Sequence, residues 1–339
     1  AYSISFVEPW LGGRKRNSFS VSGQYSVQSN GAPKTITTSE GTISNPSRQQ
    51  LQILGGSVGL GKQLQIPDDY FQLFATLSYQ YYDLNNFGSI FSFANGYSNN
   101  LAITGSLARD SRNGNPIFYS GGSRVGITTR FTPYVRSLFD GNKDYTNVSD
   151  QEKFLWVEYH KWKFTTEWYT PLGKQDEDEN NRLVLFTKVG MGYLGNFNRS
   201  IGDSPFERYY LGGSALTGFQ LDGREIIALR GYDDLSLSPR TGATFINKYT
   251  MELRYLVSPN PNATIYGLTF LEAGGTWNDF TDYQPLAVQR SGGVGLRIFL
   301  PMFGLMGLDY GWRFDDVPNL PNMPRGQFHF TIGMNLGEL

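Results

Sequence analysis

The sequence of 339 residues contains no cysteine, which excludes disulfides and thiolate metal sites but no compartment. His160 and His329 are its only histidines, so a His-centred triad has little to draw on. No apolar run nears the roughly 18–20 residues that a membrane helix needs, and mean hydropathy is −0.36. There is no basic excess for nucleic acid: Lys and Arg number 29 against 30 Asp and Glu, a net charge of −1. No Pro/Ser-rich linker and no 20-to-50-residue repeat divides the chain, and no signal segment is visible. What it has instead is 40 Gly, 21 Tyr and 24 Phe. A low average hydropathy with so many aromatics suits a membrane protein that crosses with strands. There, outward apolar residues alternate with inward polar ones, and averaging hides the signal.

That alternation is present. In "GQFHFTIGMNL", Phe328, Phe330, Ile332, Met334 and Leu336 share one face, and Gln327, His329, Thr331, Gly333 and Asn335 the other. In "YTMELRYLV", Tyr249, Met251, Leu253 and Tyr255 oppose Thr250, Glu252 and Arg254. In "GVGLRIFL", Val294, Leu296 and Ile298 oppose Gly295 and Arg297; in "LMGLDYGWR", Leu308, Tyr310 and Trp312 oppose Gly307, Asp309 and Gly311. A soluble sheet also alternates, but here the apolar face is the one rich in Tyr and Trp, as in a lipid-facing band with aromatic girdles. The pattern predicts an all-β fold, a transmembrane antiparallel β-barrel in one domain over residues 1–339. About thirteen strands of spanning length start near Tyr2, Ser18, Gln49, Phe71, Asn100, Ser120, Lys153, Arg182, Asn247, Thr264, Ser291, Gly304 and Gln327. Short and long connections alternate, the signature of periplasmic turns and extracellular loops. An odd count would start the chain outside, so the expectation is either a barrel lacking an odd number of first strands or a true count one away from thirteen.

The connection from Asn196 to Ile246 is too long to be a structureless loop in a compact domain. It is also too apolar for a linker, with Phe206, Tyr209, Tyr210, Leu211, Ile226, Ile227 and Leu229. It reads as an extracellular loop folded into the lumen as a plug, with Leu229-Arg230-Gly231-Tyr232 at its centre. Glu252, Glu272 and Asp309 share the lumen face, and Glu272 and Asp309 are the expected partners of Arg230, because a guanidinium leaving water must be paired.

These segments carry a resemblance. "PFERYYLGGSALTGFQLDGREIIALRGYDD" resembles the sixth extracellular loop of the BamA family of outer-membrane protein insertases, with Tyr232 where the family usually has Phe. "TFLEAGGTWND" resembles the family's Phe-x-Asp-x-Gly strand through Phe270, Glu272 and Gly274, with Glu for Asp. "RSGGVGLRIFLPMFGLMGLDYG" resembles the next hairpin, "QFHFTIGMNL" the C-terminal strand, and "YSISFVEPWLGG" a strand end near the family barrel's fourth strand. Leu336 stands where the family ends in Phe or Trp. The resemblance implies a sixteen-strand barrel lacking its first strands and the periplasmic POTRA modules. It implies a bacterial outer-membrane assembly factor that performs no bond chemistry, holds no cofactor or metal, and inserts other β-barrels through a lateral seam. One side of that seam would be Gln327, Phe328, Phe330, Ile332, Gly333 and Leu336. The implied partners are nascent outer-membrane β-barrel proteins, accessory lipoproteins, the chain's own POTRA modules and outer-membrane lipids. A passive porin-type diffusion channel and a two-partner secretion exporter are the alternatives. Other signals are bland. His329 reads as a polar lumen residue, and Arg14–Arg16 and Gln175–Asn180 as solvated turns.

Overall fold

The computed structural model describes residues 1–13, 17–39, 41–88, 91–135, 144–173, 181–214, 223–317 and 324–333. Among them, thirteen strands follow one another in a single large antiparallel sheet whose order is the order of the chain. They are β1 (Tyr2–Glu8), β2 (Asn17–Ser29), β3 (Gln50–Gln63), β4 (Phe71–Asn85), β5 (Gly96–Asp110), β6 (Phe118–Phe131) and β7 (His160–Pro171). There follow β8 (Leu183–Gly195), β9 (Phe245–Ser258), β10 (Thr264–Trp277), β11 (Gln289–Leu300), β12 (Gly304–Arg313) and β13 (Gly326–Ile332). A three-residue strand, Asn113–Asn115, pairs with β6 off this path. Connections alternate as expected in order, but not strictly in length: 172–182 is no shorter than 86–95 or 278–288.

The seventh strand starts at His160, not near Lys153. Ser149 caps a helical turn, Asp150–Lys153, and its side chain accepts a hydrogen bond from the Glu152 amide. A Ser cap followed by two acidic residues is a helix-start signal, and it overrides the extended reading there.

The chain divides into two compact units. One comprises Ala1–Ser106, Thr128–Lys161 and Leu194–Glu207; the other comprises Leu107–Ile127, Trp162–Tyr193 and Arg208–Leu339. In the first, one sheet face is built from small polar side chains, with the Ser22 and Ser57 hydroxyls 2.8 Å apart across β2 and β3. The other face exposes Leu54, Val58, Leu60 and Leu77. Its buried core gathers Leu51, Ile53, Tyr82 and Leu84 with Phe91 and Phe93.

The second unit is inside-out by the standard of a soluble sheet. Glu252, Glu272, Arg297 and Asp309 are buried, while Met251, Leu253, Leu271, Val294, Leu308 and Trp312 are exposed. Register explains the segregation. Glu252 faces Phe270 across β9 and β10, Phe270 faces Gly293, Gly295 faces Asp309 and Asp309 faces His329. The period-two pattern therefore stays in phase from strand to strand, and one face stays charged throughout. An apolar exposed face opposite a charged buried one fits hydrocarbon as the outer solvent.

Candidate functional site

The connection between β8 and β9 runs from 196 to 244. It carries regular structure of its own. Tyr209–Leu211 pairs in parallel with Glu225–Ile227, a two-strand ribbon too short to show a period. In the first unit, Phe206 stacks on Tyr82 at 4.5 Å and lies 4.7 Å from Phe91, centroid to centroid. Glu207 beside it meets Lys161 Nζ at 3.3 Å and Arg130 Nη1 at 2.9 Å.

In the second unit, Leu229 is fully buried and Arg230 is 6 % exposed. The Arg230 amide donates to Glu272 Oε2 at 2.9 Å. Its Nη2 donates to Glu252 Oε1 at 2.6 Å and to Glu272 Oε1 at 2.9 Å, and its Nη1 to Asp309 Oδ1 at 3.3 Å. The guanidinium also lies 3.6 Å above the Phe270 ring centroid, a cation–π contact. Glu252, Glu272 and Asp309 stand on β9, β10 and β12, so one side chain joins three strands. Burial alone would push the Arg230 guanidinium down, but Glu272, Glu252 and Asp309 outweigh it and hold the group above its usual range.

Each carboxylate also has a cation of its own. Arg254 Nη2 is 2.6 Å from Glu252 Oε2, and Lys248 Nζ is 3.2 Å from Glu272 Oε1. Arg297 grips Asp309 through two bonds of 2.9 Å, the bidentate geometry a planar fork allows. The sequence placed Glu252, Arg254 and Arg297 on the correct face but did not assign them to Arg230 or to one another. Alternation identifies a face, whereas the neighbours on that face depend on strand register and the path of the loop.

Gly231 has φ of +90°, the left-handed region that glycine alone enters freely. A Cβ on Gly311 would lie 2.6 Å from the Gly231 nitrogen and 2.9 Å from its Cα, so the two glycines let loop and strand backbones touch. The Gly231 amide donates to His329 Nε2 at 2.8 Å, giving this lumen-face histidine a specific partner. The Tyr232 hydroxyl donates to the Arg290 carbonyl at 2.8 Å. Burial, with the Asp315 carboxylate adding to it, pushes that hydroxyl up to about 12.

On β13, Gln327 Nε2 donates to Asp233 Oδ1. Phe328 is 82 % exposed, with Phe330 and Ile332 also outward, and Gly333 ends the strand at φ +108°. Leu336 lies outside the described residues, as do Arg14–Arg16 and Gln175–Asn180.

The chain matches the model of the Omp85 superfamily domain over residues 1–335. No curated protein sequence matches it significantly. Among solved structures, it is similar to BamA from Haemophilus ducreyi lacking POTRA domains 1–3, with TM-score 0.65 and 17 % identity over 96 % of this chain. CdiB from Escherichia coli is similar at TM-score 0.54 and 11 % identity over 93 % of the chain. CdiB from Acinetobacter baumannii is similar at TM-score 0.54 and 12 % identity over 97 %. The chain spans 60 %, 50 % and 49 % of the lengths of these three structures.

Proposed function

Because the chain belongs to the Omp85 superfamily, whose fold is an outer-membrane β-barrel, we propose that it is the barrel of an insertase that folds and inserts other β-barrel proteins into the bacterial outer membrane. The observation that carries this reading is the Arg230 knot, which binds β9, β10 and β12 into one wall immediately beside β13. Insertion is slow because unpaired backbone groups cannot enter lipid. A terminal strand beside a stiffened wall can offer its edge as a template, adding an incoming strand by main-chain hydrogen bonds. β13, with Phe328, Phe330 and Ile332 outward, is the strand suited to that role. The protein makes and breaks no covalent bond in this scheme. Its partners are nascent barrels, outer-membrane lipids, accessory lipoproteins and the POTRA modules of its own chain.

The test is a folding assay with the full-length protein in liposomes. The rate at which a denatured client barrel gains its folded, heat-modifiable form should rise well above the empty-liposome rate. It should fall when Arg230 is replaced. No acceleration, together with a large steady single-channel conductance, would favour a diffusion channel instead. The likeness to CdiB supports a second reading, an exporter of the two-partner secretion type. Secretion of a long soluble partner, without stimulation of barrel folding, would select it.

A further inference from the structure

In the second unit, a cavity of about 300 Å³ lies against the charged face of the sheet. Among the described residues, seven basic side chains line it against four carboxylates, Glu167, Glu252, Glu272 and Asp309; a fifth, Asp110, stands off the lining and holds Arg112 at 2.6 Å, which leaves an excess of two positive charges. None of the four on the lining is surplus, because each serves at least two cations. Glu167 is shared by Arg112 at 3.1 Å and Lys188 at 3.6 Å. Glu272 is shared by Arg230 and Lys248, while Glu252 and Asp309 are divided in the same way between Arg230 and Arg254 or Arg297.

The imbalance concentrates at one place. In the register of β8 and β9, Lys188 faces Thr250 and Gly190 faces Lys248. Lys188 and Lys248 are therefore diagonal neighbours on the same face, within reach of each other. Like charges so placed repel, and the nearest carboxylates are already shared with arginines. Among the described residues, the ammonium of Lys188, with its three donors, meets Glu167 at 3.6 Å. Arg124 stands exposed on the cavity lining. A recess walled by protein and lined by excess positive charge focuses its field on an anion. Two adjacent ammonium groups favour one that carries two charges and several acceptor oxygens.

We propose that this cavity binds a compact divalent oxyanion, phosphate or a phosphate monoester, bridged between Lys188 and Lys248 with Arg124 at its rim. Ser214, also on the lining, supplies a hydroxyl for a remaining oxygen. The site shares Lys248 with the Arg230 knot, whereas Lys188, Arg124 and Ser214 lie outside the knot.

The full chain, purified in neutral detergent without phosphate, provides the test. Its thermal unfolding midpoint is followed against sodium phosphate at pH 7.5, with sodium chloride at matched ionic strength as reference. Phosphate should raise the midpoint saturably and chloride should not. Glycerol 3-phosphate should act like phosphate, whereas vesicles of phosphatidylglycerol should not, which separates a soluble oxyanion from a lipid headgroup. Lys188→Gln should shift half-saturation at least tenfold upward, and Lys188→Glu should remove the effect. Lys163→Gln, whose lysine pairs with Glu225 away from the lining, should leave the titration unchanged. Should Lys188→Gln not fold, Arg124→Gln at the exposed rim should still weaken the response severalfold. A phosphate effect no larger than that of matched chloride would overturn the proposal. So would one that survives both Lys188→Gln and Arg124→Gln.

Discussion

Replacing Glu272 by glutamine should destabilise the protein more than replacing Arg230 by methionine, although Arg230 makes more of the contacts. The knot holds four cations, Arg230, Lys248, Arg254 and Arg297, and three carboxylates, Glu252, Glu272 and Asp309, so its net charge is 4 − 3 = +1. Arg230→Met leaves 3 − 3 = 0, and every carboxylate keeps a cation between 2.6 and 3.2 Å away. The loss is then a set of charge-assisted hydrogen bonds, each ~1.5–3 kcal/mol, offset by the several kcal/mol of desolvation that a buried guanidinium no longer suffers. A net loss of about 1–3 kcal/mol follows. Glu272→Gln leaves 4 − 2 = +2 in the same buried space, and Lys248 and Arg230 lose a shared counter-charge. Leaving a buried charge uncompensated typically costs about 3–5 kcal/mol. Guanidinium unfolding of the detergent-solubilised protein, followed by tryptophan fluorescence, measures both variants and the double variant. The double variant should be less destabilised than the sum of the two, since the charge it leaves is 3 − 2 = +1. Arg230→Met proving equal to or worse than Glu272→Gln would refute the sharing of each carboxylate between cations.

Gly311→Ala should push the loop off the strand, because its Cβ meets loop backbone rather than a flexible side chain. We expect a loss of ~1–3 kcal/mol and faster proteolysis between 196 and 244, and unchanged cleavage would contradict the close approach. Tyr232→Phe should cost about 0.5–1.5 kcal/mol through the lost bond to the Arg290 carbonyl. The Tyr232 hydroxyl is raised in the folded state to about 12, above the unfolded value of about 10. Its contribution is thus complete below about pH 10 and fades as pH rises through 12. The stability gap between wild type and Tyr232→Phe should therefore narrow from pH 9 to pH 11.5, and a constant gap would argue against the burial. A single cysteine at Asp282, in the β10–β11 connection, should react with an impermeant thiol reagent on intact cells, and one at Asn262, in the β9–β10 turn, should not. The opposite pattern would invert the topology.

The face assignments of β9 to β13 were legible, because a lipid-facing strand has to repeat its alternation over the whole span, and Glu252, Glu272, Arg297 and Asp309 all fall on the face opposite the Tyr-, Trp- and Leu-rich one. The knot was legible in its parts, since a buried arginine needs carboxylates and the next strands carry them. The sharing of those carboxylates was not. It depends on the β9–β10 register that sets Glu252 against Phe270, and on an arginine two residues along the same strand or on the next one. Nor was the His329 contact, for nothing in "QFHFTIG" indicates which backbone amide will arrive opposite its imidazole. The turn at Asp150–Lys153 was a missed cap: Ser149 carries the signal, and the strand start near Lys153 was set without it. The ribbon of Tyr209–Leu211 and Glu225–Ile227 is three residues wide, below the length at which a period can be read.

The three carboxylates that receive Arg230 come from three strands, and they stand side by side only after β9 to β12 have paired in register. Until then the guanidinium has no reason to leave water. Docking of the loop should therefore come late in the chain's own folding, conditional on a finished wall. A registry error anywhere in those four strands would scatter the acceptors and leave the loop outside, where proteases can reach it. On that reasoning the buried arginine would distinguish a correctly assembled sheet from a misaligned one before the loop is committed.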